Sequence, residues 1–237
     1  MPKTKSGKVV LWGSIWGIGI LILALILEPT PENFTLAVSI TLSGLYTWLL
    51  YLTRDRWIKN WIGKPIRNAI LLGSINAAVI EILFLVVERI FGASGVAAHH
   101  NLFLDLLITM PWYIALVWAF VQIQKSHRFS PAFVLLLGAV YEMGADGIIG
   151  GLLMPGLMGN PVNLLEFLVL SALGAFWQFI PVYSSIVLPP AWILDHTDLP
   201  QEQTKKHWSR AFLPLLILIP FSIYLVLIMV IISSLGG

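Results

Sequence analysis

Residues 9–27, VVLWGSIWGIGILILALIL, form an unbroken stretch of 19 residues in which no side chain is charged. At the rise of an α-helix this stretch covers about 29 Å, close to the thickness of the hydrocarbon core of a bilayer. The rest of the chain has the same character, because 58% of its residues are hydrophobic and only 11% are charged. An ordinary soluble domain is about 25% charged. The sequence therefore predicts an all-α integral membrane protein.

Six further stretches are long and apolar enough to span a bilayer as helices. Their runs are too continuous for the short alternating strands of a membrane β-barrel. The basic residues before the first stretch resemble the start of a signal peptide, but no small-residue cleavage site precedes Glu28, so we expect this helix to be retained. The chain is thus predicted to form one polytopic membrane domain, 1–237, with helices at 9–27, 34–53, 67–91, 102–124, 131–154, 164–194 and 211–235.

Positive charges fall almost entirely on one side of this predicted topology. Thirteen of the fourteen lysines and arginines lie on that side, and only Arg89 lies on the other. Because short loops rich in Lys and Arg stay in the cytoplasm, we expect a cytoplasmic N-terminus, an extracytoplasmic C-terminus and a location in the plasma (inner) membrane. The thirteen residues are Lys3, Lys5, Lys8, Arg54, Arg56, Lys59, Lys64, Arg67, Lys125, Arg128, Lys205, Lys206 and Arg210.

The predicted loop 54–64 alternates basic residues with Trp57 and Trp61. A nucleic acid would fit such a segment, but a position beside a membrane favours anionic lipids of the inner leaflet, at about 1 kcal/mol for each base. We therefore expect lipid rather than nucleic acid as the partner, and the sequence does not indicate an oligomeric state. The basic residues expected to contact these lipids are Arg54, Arg56, Lys59 and Lys64.

Six carboxylates fall within or at the edges of the predicted helices. An ionised side chain at the bilayer centre costs about 2.5–3.5 kcal/mol on insertion scales. Each acid therefore needs a hydrogen-bond partner, a proton, a bound cation or water, and any one of them could serve only to fix helix packing. The six are Glu81, Glu88, Asp105, Glu142, Asp146 and Glu166.

Three of these acids are predicted to form a central site that binds a cation or a proton. Counted along the helix from the cytoplasmic side, Glu142 lies about 16 Å in, Asp146 about 22 Å in, and Glu81 about 21 Å in on another helix. Glu142 and Asp146 are four residues apart and share a helix face. Two carboxylates so close do not both ionise easily, so one stays protonated or a cation sits between them.

Glycines around the Glu142–Asp146 pair support this prediction. Glycine weakens a helix, and interrupted membrane helices often line binding cavities. The alternative is that Gly147 and Gly151 form a small-xxx-small surface for helix packing.

The remaining acids, Glu88, Asp105 and Glu166, lie near the predicted outer interface. We expect them to form an acidic entrance that concentrates cations, although acids at an interface also reach water without any function. His99 and His100 mark a possible outer-loop site, either as metal ligands with nearby carboxylates or as a solvated, pH-sensitive pair. The absence of cysteine excludes thiolate metal sites. No cofactor or firm metal site is indicated, apart from a possible bound cation.

The sequence predicts a transporter or channel for a cation or coupling proton, and two alternatives remain open beside it. The first is a membrane enzyme on a lipid or isoprenoid substrate, with Glu142 or Asp146 as general acid or base. The second is a non-catalytic subunit of a membrane assembly. A transporter needs a wet pocket with alternating access, whereas such an enzyme needs a lateral, lipid-facing opening beside a largely dry acid. Aromatic residues available to stabilise a carbocation are Trp112, Tyr113, Tyr141 and Trp177.

Overall fold

The computed structural model describes residues 5–153, 162–197 and 208–234. Within these ranges every regular element is helical, and 7 helices are long and apolar enough to cross a membrane. The prediction of a multi-pass helical membrane protein is thereby confirmed. The first four spans are α1 (Lys5–Leu27), α2 (Pro31–Trp61), α3 (Pro65–Phe91) and α4 (Leu102–His127).

The last three spans are not continuous α-helices. The fifth consists of α5 (Pro131–Glu142) and a π-helix, π1 (Met143–Leu153). The sixth consists of α6 (Leu164–Leu170), a short π-helix, π2 (Ser171–Ala175), and α7 (Phe176–Asp195). The seventh begins as a 3₁₀-helix (Trp208–Ile217) and continues as α8 (Leu218–Ser234).

Local sequence signals set several helix starts. Thr30 and Ser130 each precede a proline, and their hydroxyls accept the backbone N–H of the residue three positions later. Asn101 caps α4 in the same way through its side-chain oxygen. Proline at the first helical position loses no hydrogen bond, because that N–H has no partner within the helix. These caps explain why the predicted starts of α4 and α5 agree with the structure.

The end of α2 differs from the prediction. Residues 54–61 were expected in a loop, but α2 continues to Trp61 over 31 residues, about 46 Å. Residues 45–62 contain no glycine or proline, and Ile58 at 3% exposure is buried in the hydrophobic core. The ring of Trp57 lies 6.3 Å from that of Trp192. Packing against α7 therefore keeps this basic segment helical, and its contact with anionic lipid stays a prediction.

α7 is the central helix of the bundle. Residues 182–194 are all buried, and α7 packs mainly against α2, α3 and α5. A helix that is apolar on every side is expected to be buried on every side. At its predicted cytoplasmic end, Arg128 of the α4–α5 turn pairs with Asp195 at 3.5 Å and donates to the carbonyl of Thr197 at 3.0 Å. The turn is thereby tied to the end of α7.

A proline within α7 leaves a carbonyl group without a helical donor, and a side chain of α3 provides the replacement. Pro189 has no backbone N–H, so the carbonyl of Ser185 loses its helical donor. Nδ2 of Asn76 donates to that carbonyl at 2.7 Å. The hydroxyl of Tyr46 in turn donates to Oδ1 of Asn76 at 2.9 Å. Three helices are thus joined at Asn76, which is 1% exposed.

The same arrangement recurs in α4. Pro111 leaves the carbonyl of Leu107 without its helical donor. The hydroxyl of Tyr224, on α8, donates to this carbonyl at 2.5 Å. An unsatisfied backbone group costs several kcal/mol in the bilayer core. These side chains therefore donate to carbonyls that have lost their helical donor, and they also fix the relative positions of neighbouring helices.

α1 packs against α7 through a close approach of the two backbones. Pro181 leaves the carbonyl of Trp177 without its helical donor, and α1 passes this point with Gly13 and Gly17, both of which are buried. A Cβ added at Gly17 would lie 3.2 Å from that carbonyl oxygen, and one at Gly13 would lie 2.0 Å from the Trp177 ring. Glycine at both positions lets α1 approach α7.

We expect Asn76→Leu to destabilise the protein by about 1–2 kcal/mol, because it leaves the Ser185 carbonyl buried without a donor. Pro189→Ala restores a backbone N–H four residues after Ser185. In the Pro189→Ala background, Asn76→Leu should destabilise the protein by roughly half as much, because only the hydrogen bond from Tyr46 is then lost. The measurement is reversible unfolding of all four proteins in mixed micelles. Equal costs in both backgrounds would show that Asn76 does not serve the carbonyl freed by Pro189.

Candidate functional site

A cavity of about 460 Å³ lies in the predicted outer half of the bundle. Residues from α2, α3, α4, α7 and α8 form its walls, together with the junction between α5 and π1. Residues 95–98 of the α3–α4 loop lie across its predicted outer end. Its volume falls in the usual range of about 300–1,000 Å³ for sites that bind small molecules.

Two of the predicted central acids line this cavity, Glu81 from α3 and Glu142 from the end of α5. The hydroxyl of Tyr113, on α4, donates to Oε1 of Glu81 at 2.5 Å. Glu142 is 3% exposed. The structure thus brings together two carboxyl groups that lie 61 positions apart in the chain, and it adds a tyrosine whose contact with Glu81 the sequence does not reveal.

The third predicted acid, Asp146, has its backbone in π1, but its side chain lies outside the part of the structure that is described. Its predicted pairing with Glu142 therefore stays a prediction. The switch from α-helix to π-helix occurs at Met143, directly after Glu142. Short π-helical segments occur frequently at functional sites.

The glycines of π1 have different roles from the predicted packing surface. A Cβ added at Gly147 would first meet the side chain of Met143 in the same segment, and Gly151 lines the cavity. At Gly144 a Cβ would lie 2.6 Å from Leu218 and 2.9 Å from Leu215. Gly144, rather than Gly147, therefore permits the close approach of the seventh span.

Most of the cavity wall is apolar or aromatic. The ring centroids of Trp112 and Phe221 lie 5.3 Å apart. Besides the two acids and Tyr113, the hydroxyl of Thr109 and the amide of Gln178 provide polar side-chain atoms. Among the described residues, the cavity therefore offers two acids and few other polar groups to a ligand. Further aromatic residues in its wall are Phe84 and Phe179.

The predicted cytoplasmic side of the cavity is closed. Directly before Glu142 in α5, Tyr141 is fully buried and donates its hydroxyl to the carbonyl of Ala211 at 2.7 Å. Pro214 deprives this carbonyl of a donor within the 3₁₀-helix. Deeper still, Leu137 and Ile186 are 1% and 0% exposed. A continuous hydrophobic core separates the acids from the cytoplasmic end.

Two of the outer acids hold the loop that closes the cavity. Oε2 of Glu88 accepts the backbone N–H of Ala97 at 2.5 Å, and Oδ1 of Asp105 accepts that of His99 at 3.0 Å. Both acids are buried, at 5% and 0% exposure. Backbone N–H groups stabilise a carboxylate strongly. The loop over the cavity is therefore anchored at its base by buried acids.

Glu166 lies apart from these two acids. It is exposed on α6, whose main neighbours are π1 and π2. The structure does not bring it together with Glu88 and Asp105. An acidic entrance made by all three stays a prediction.

His99 and His100 lie in the same loop with their rings stacked, 4.3 Å between centroids. Nδ1 of His99 accepts the backbone N–H of Asn101 at 2.9 Å. A guanidinium nitrogen of Arg89 donates to the carbonyl of His100 at 2.7 Å. Among the described residues, no group of three or more His, Asp or Glu side chains is arranged to hold a metal ion.

The fold and the cavity together define a multi-pass α-helical membrane protein with a cavity that is lined by two acids. Comparisons of the chain with protein-family models, with curated proteins and with solved structures find no match.

Replacing Glu88 should loosen the loop. We expect Glu88→Leu to increase amide hydrogen exchange at Ala97 and its neighbours by roughly tenfold or more, because a charge-assisted hydrogen bond worth about 1.5–3 kcal/mol is lost. Glu88→Gln keeps an acceptor oxygen and should give a smaller increase. Asp55→Asn, on the exposed end of α2, is the control. Exchange that is unchanged in Glu88→Leu would show that Glu88 does not anchor the loop.

Proposed function

We propose that this protein is an integral-membrane enzyme that performs acid–base chemistry on an unsaturated lipid of isoprenoid type. One observation carries the proposal: Glu81 and Glu142, from different helices, line a single intramembrane cavity whose remaining wall is mainly apolar and aromatic. A hydrocarbon substrate requires an apolar cavity, and an unsaturated one gives a carboxylic acid a group to protonate.

The surroundings of the two acids favour different roles. Glu142 is 3% exposed and lines the cavity, so it is placed to give a proton directly to a bound hydrocarbon. Glu81 accepts a hydrogen bond from Tyr113 at 2.5 Å, as suits a carboxylate. We therefore assign Glu142 as the proton donor and Glu81 as the proton acceptor. Pairs of titratable groups in contrasting surroundings are the usual source of acid and base assignments.

The reaction balances without a further reagent. Glu142 gives its proton to one carbon of a C=C bond, whose π electrons form the new C–H bond and leave a carbocation at the other carbon. Glu81 then removes a proton from a neighbouring carbon, and that C–H electron pair forms a new C=C bond. The double bond has moved, or a ring has closed if a second C=C bond attacks the cation first. Return of the proton from Glu81 to Glu142 restores the enzyme.

The aromatic wall fits this chemistry. The faces of aromatic rings attract cations, with gains of about 2 kcal/mol or more where water is excluded. Trp112, Phe84, Phe179 and Phe221 line the same cavity as the two acids. The closed predicted cytoplasmic side and the loop 95–98 limit access of water, which would otherwise capture a carbocation.

The proposal predicts exchange of solvent hydrogen into the substrate. Purified protein in D₂O micelles should incorporate deuterium into one of a panel of uncharged isoprenoid alcohols and hydrocarbons, measured by mass spectrometry. Glu142→Gln and Glu81→Gln should each abolish incorporation, by about 10²-fold or more, as expected when a general acid or base is removed. Tyr113→Phe should reduce it less, because it changes only the surroundings of Glu81.

Glu166→Gln, at an exposed glutamate on α6, is the matched control and should retain full incorporation. Each variant must keep the unfolding temperature of the wild type within a few degrees. Incorporation that survives in both Glu81→Gln and Glu142→Gln would overturn the assignment. Failure of every substrate with folded wild-type protein would count against the enzyme and favour a non-catalytic subunit.

A second candidate is a carrier or channel for a cation or proton, since carboxylate oxygens from two helices line one cavity and such oxygens are ligands for hard cations. The closed core below Glu142 gives it less support, because transport also needs access from the cytoplasmic side. Asp146 would belong to this site if its side chain faced the cavity.

Thermal stability separates the two candidates. A cation that binds only the folded protein adds about 2.7 kcal/mol at a hundred times its dissociation constant. For the enzyme we expect no such gain from mono- or divalent cations, and Glu142→Gln as stable as the wild type or more so. Asp146→Asn is measured in parallel. If one cation stabilises the wild type and this gain in stability disappears in both Glu142→Gln and Asp146→Asn, the result would favour the carrier instead.

A further inference from the structure

A second cavity, of about 490 Å³, lies between α1, α2 and α7 on the outside of the bundle. We call it the lateral groove. Ile40 and Gln178 line both the lateral groove and the acid-bearing cavity. The side chains of these two residues therefore lie between the two spaces.

The lateral groove faces the region that the bilayer occupies. Ile18, Leu45 and Trp48, which line it, are 57%, 51% and 59% exposed. Most of α1 is exposed, and its buried positions are Gly13 and Gly17. Side chains exposed at this depth of a membrane helix meet lipid rather than water.

The lining of the lateral groove indicates an uncharged occupant. No residue that lines it is charged, among the described part of the chain. Its polar side chains are hydroxyls and one amide, and two of the hydroxyls, those of Thr47 and Ser184, already bond each other at 2.5 Å. The nearest cation among the described residues is the guanidinium of Arg54, which lies 4.1 Å from the ring of Tyr51 at the predicted cytoplasmic end, so a charged headgroup would find no ion pair along the rest of the groove. Aromatic walls suited to a hydrocarbon chain come from Trp48, Tyr51, Trp177 and Trp192.

We infer that the lateral groove is the route by which an uncharged isoprenoid lipid passes from the bilayer to Glu81 and Glu142, across Ile40 and Gln178. The inference rests on the proposed function and specifies it, because the substrate is then a lipid without a charged headgroup. It follows from the shared wall residues, from the uncharged lining, from the hydrophobic core on the predicted cytoplasmic side of the cavity, and from the anchored loop at its predicted outer end.

Photolabelling tests this route. The probe is a diazirine-bearing analogue of geranylgeraniol, an uncharged isoprenoid alcohol, added to the full-length protein in lipid nanodiscs. After illumination, labelled peptides are identified by mass spectrometry. In the wild type, label is expected on the α2 peptide that contains Trp48, in the lateral groove, and on the α4 peptide that contains Trp112, in the cavity.

Filling the lateral groove should block the second label. A Cβ at Gly44 meets only ordinary contact, 3.5 Å from Pro181, so Gly44→Phe places its ring in the groove. We expect label on the cavity peptide to be lost. Gly19→Phe is the matched control, because a Cβ there meets nothing within 4 Å. It should leave both labels unchanged.

Thr41→Trp, at another residue that lines the groove, gives a second blocked variant if Gly44→Phe does not fold. Excess unlabelled geranylgeraniol should remove both labels, and excess phosphatidylglycerol should remove neither. Cavity label that persists in folded blocked variants would overturn the route and leave the proposed function standing. A wild-type cavity that takes no label would overturn the proposed function itself.

Discussion

Backbone carbonyl groups that lose their helical donor must find another one inside a bilayer, and much of this fold depends on that constraint. Proline residues in the spans leave several carbonyls without a donor, and the hydrocarbon core contains no water that could donate to them instead. The donors come from other helices: Asn76 for Ser185 in α7, and Tyr224 for Leu107 in α4. Each such contact joins two helices at a fixed depth. The prolines therefore determine how the helices pack as well as where they bend.

The intramembrane acids divide into two groups by what surrounds them. Glu88 and Asp105 accept backbone N–H groups and hold the loop over the cavity. Glu81 and Glu142 instead line the cavity, where the wall is mainly aromatic and apolar. Asp105 also shares a side-chain hydrogen bond with Glu81, so the two groups are in contact. Among the described side chains, only Glu81 and Glu142 of these acids line the cavity. This difference is the reason that the proposed chemistry uses the second group.

The bundle combines a rigid base with a more open outer half. In the predicted cytoplasmic half, α7 is surrounded by other helices and its residues 182–194 are buried. In the predicted outer half, the fifth and sixth spans change to π-helix beside the cavity, whereas the lateral groove runs from mid-membrane along α1, α2 and α7 toward the predicted cytoplasmic side. A packed core of this kind holds the acids of the cavity in place. The arrangement suits chemistry on a molecule that arrives from the membrane.

The sequence by itself determined the membrane-spanning class, the seven helices and most of their ends, because length, hydropathy and capping residues act locally. It also singled out Glu81 and Glu142, since acids in apolar helices are costly wherever they lie. Local patterns could not show that α2 continues through residues 54–61, because burial of Ile58 against the rest of the bundle decides it.

Only the tertiary structure decided which acids share a cavity and which anchor a loop. It also paired Tyr113 with Glu81 and Asn76 with Ser185, contacts that join residues 32 and 109 positions apart. The rotation of each helix about its axis sets these contacts, and in a bilayer hydropathy says little about it, since lipid is as apolar as the protein core. That rotation is fixed by the packing around α7 and by the need to place donors beside the carbonyls that its prolines leave without a partner.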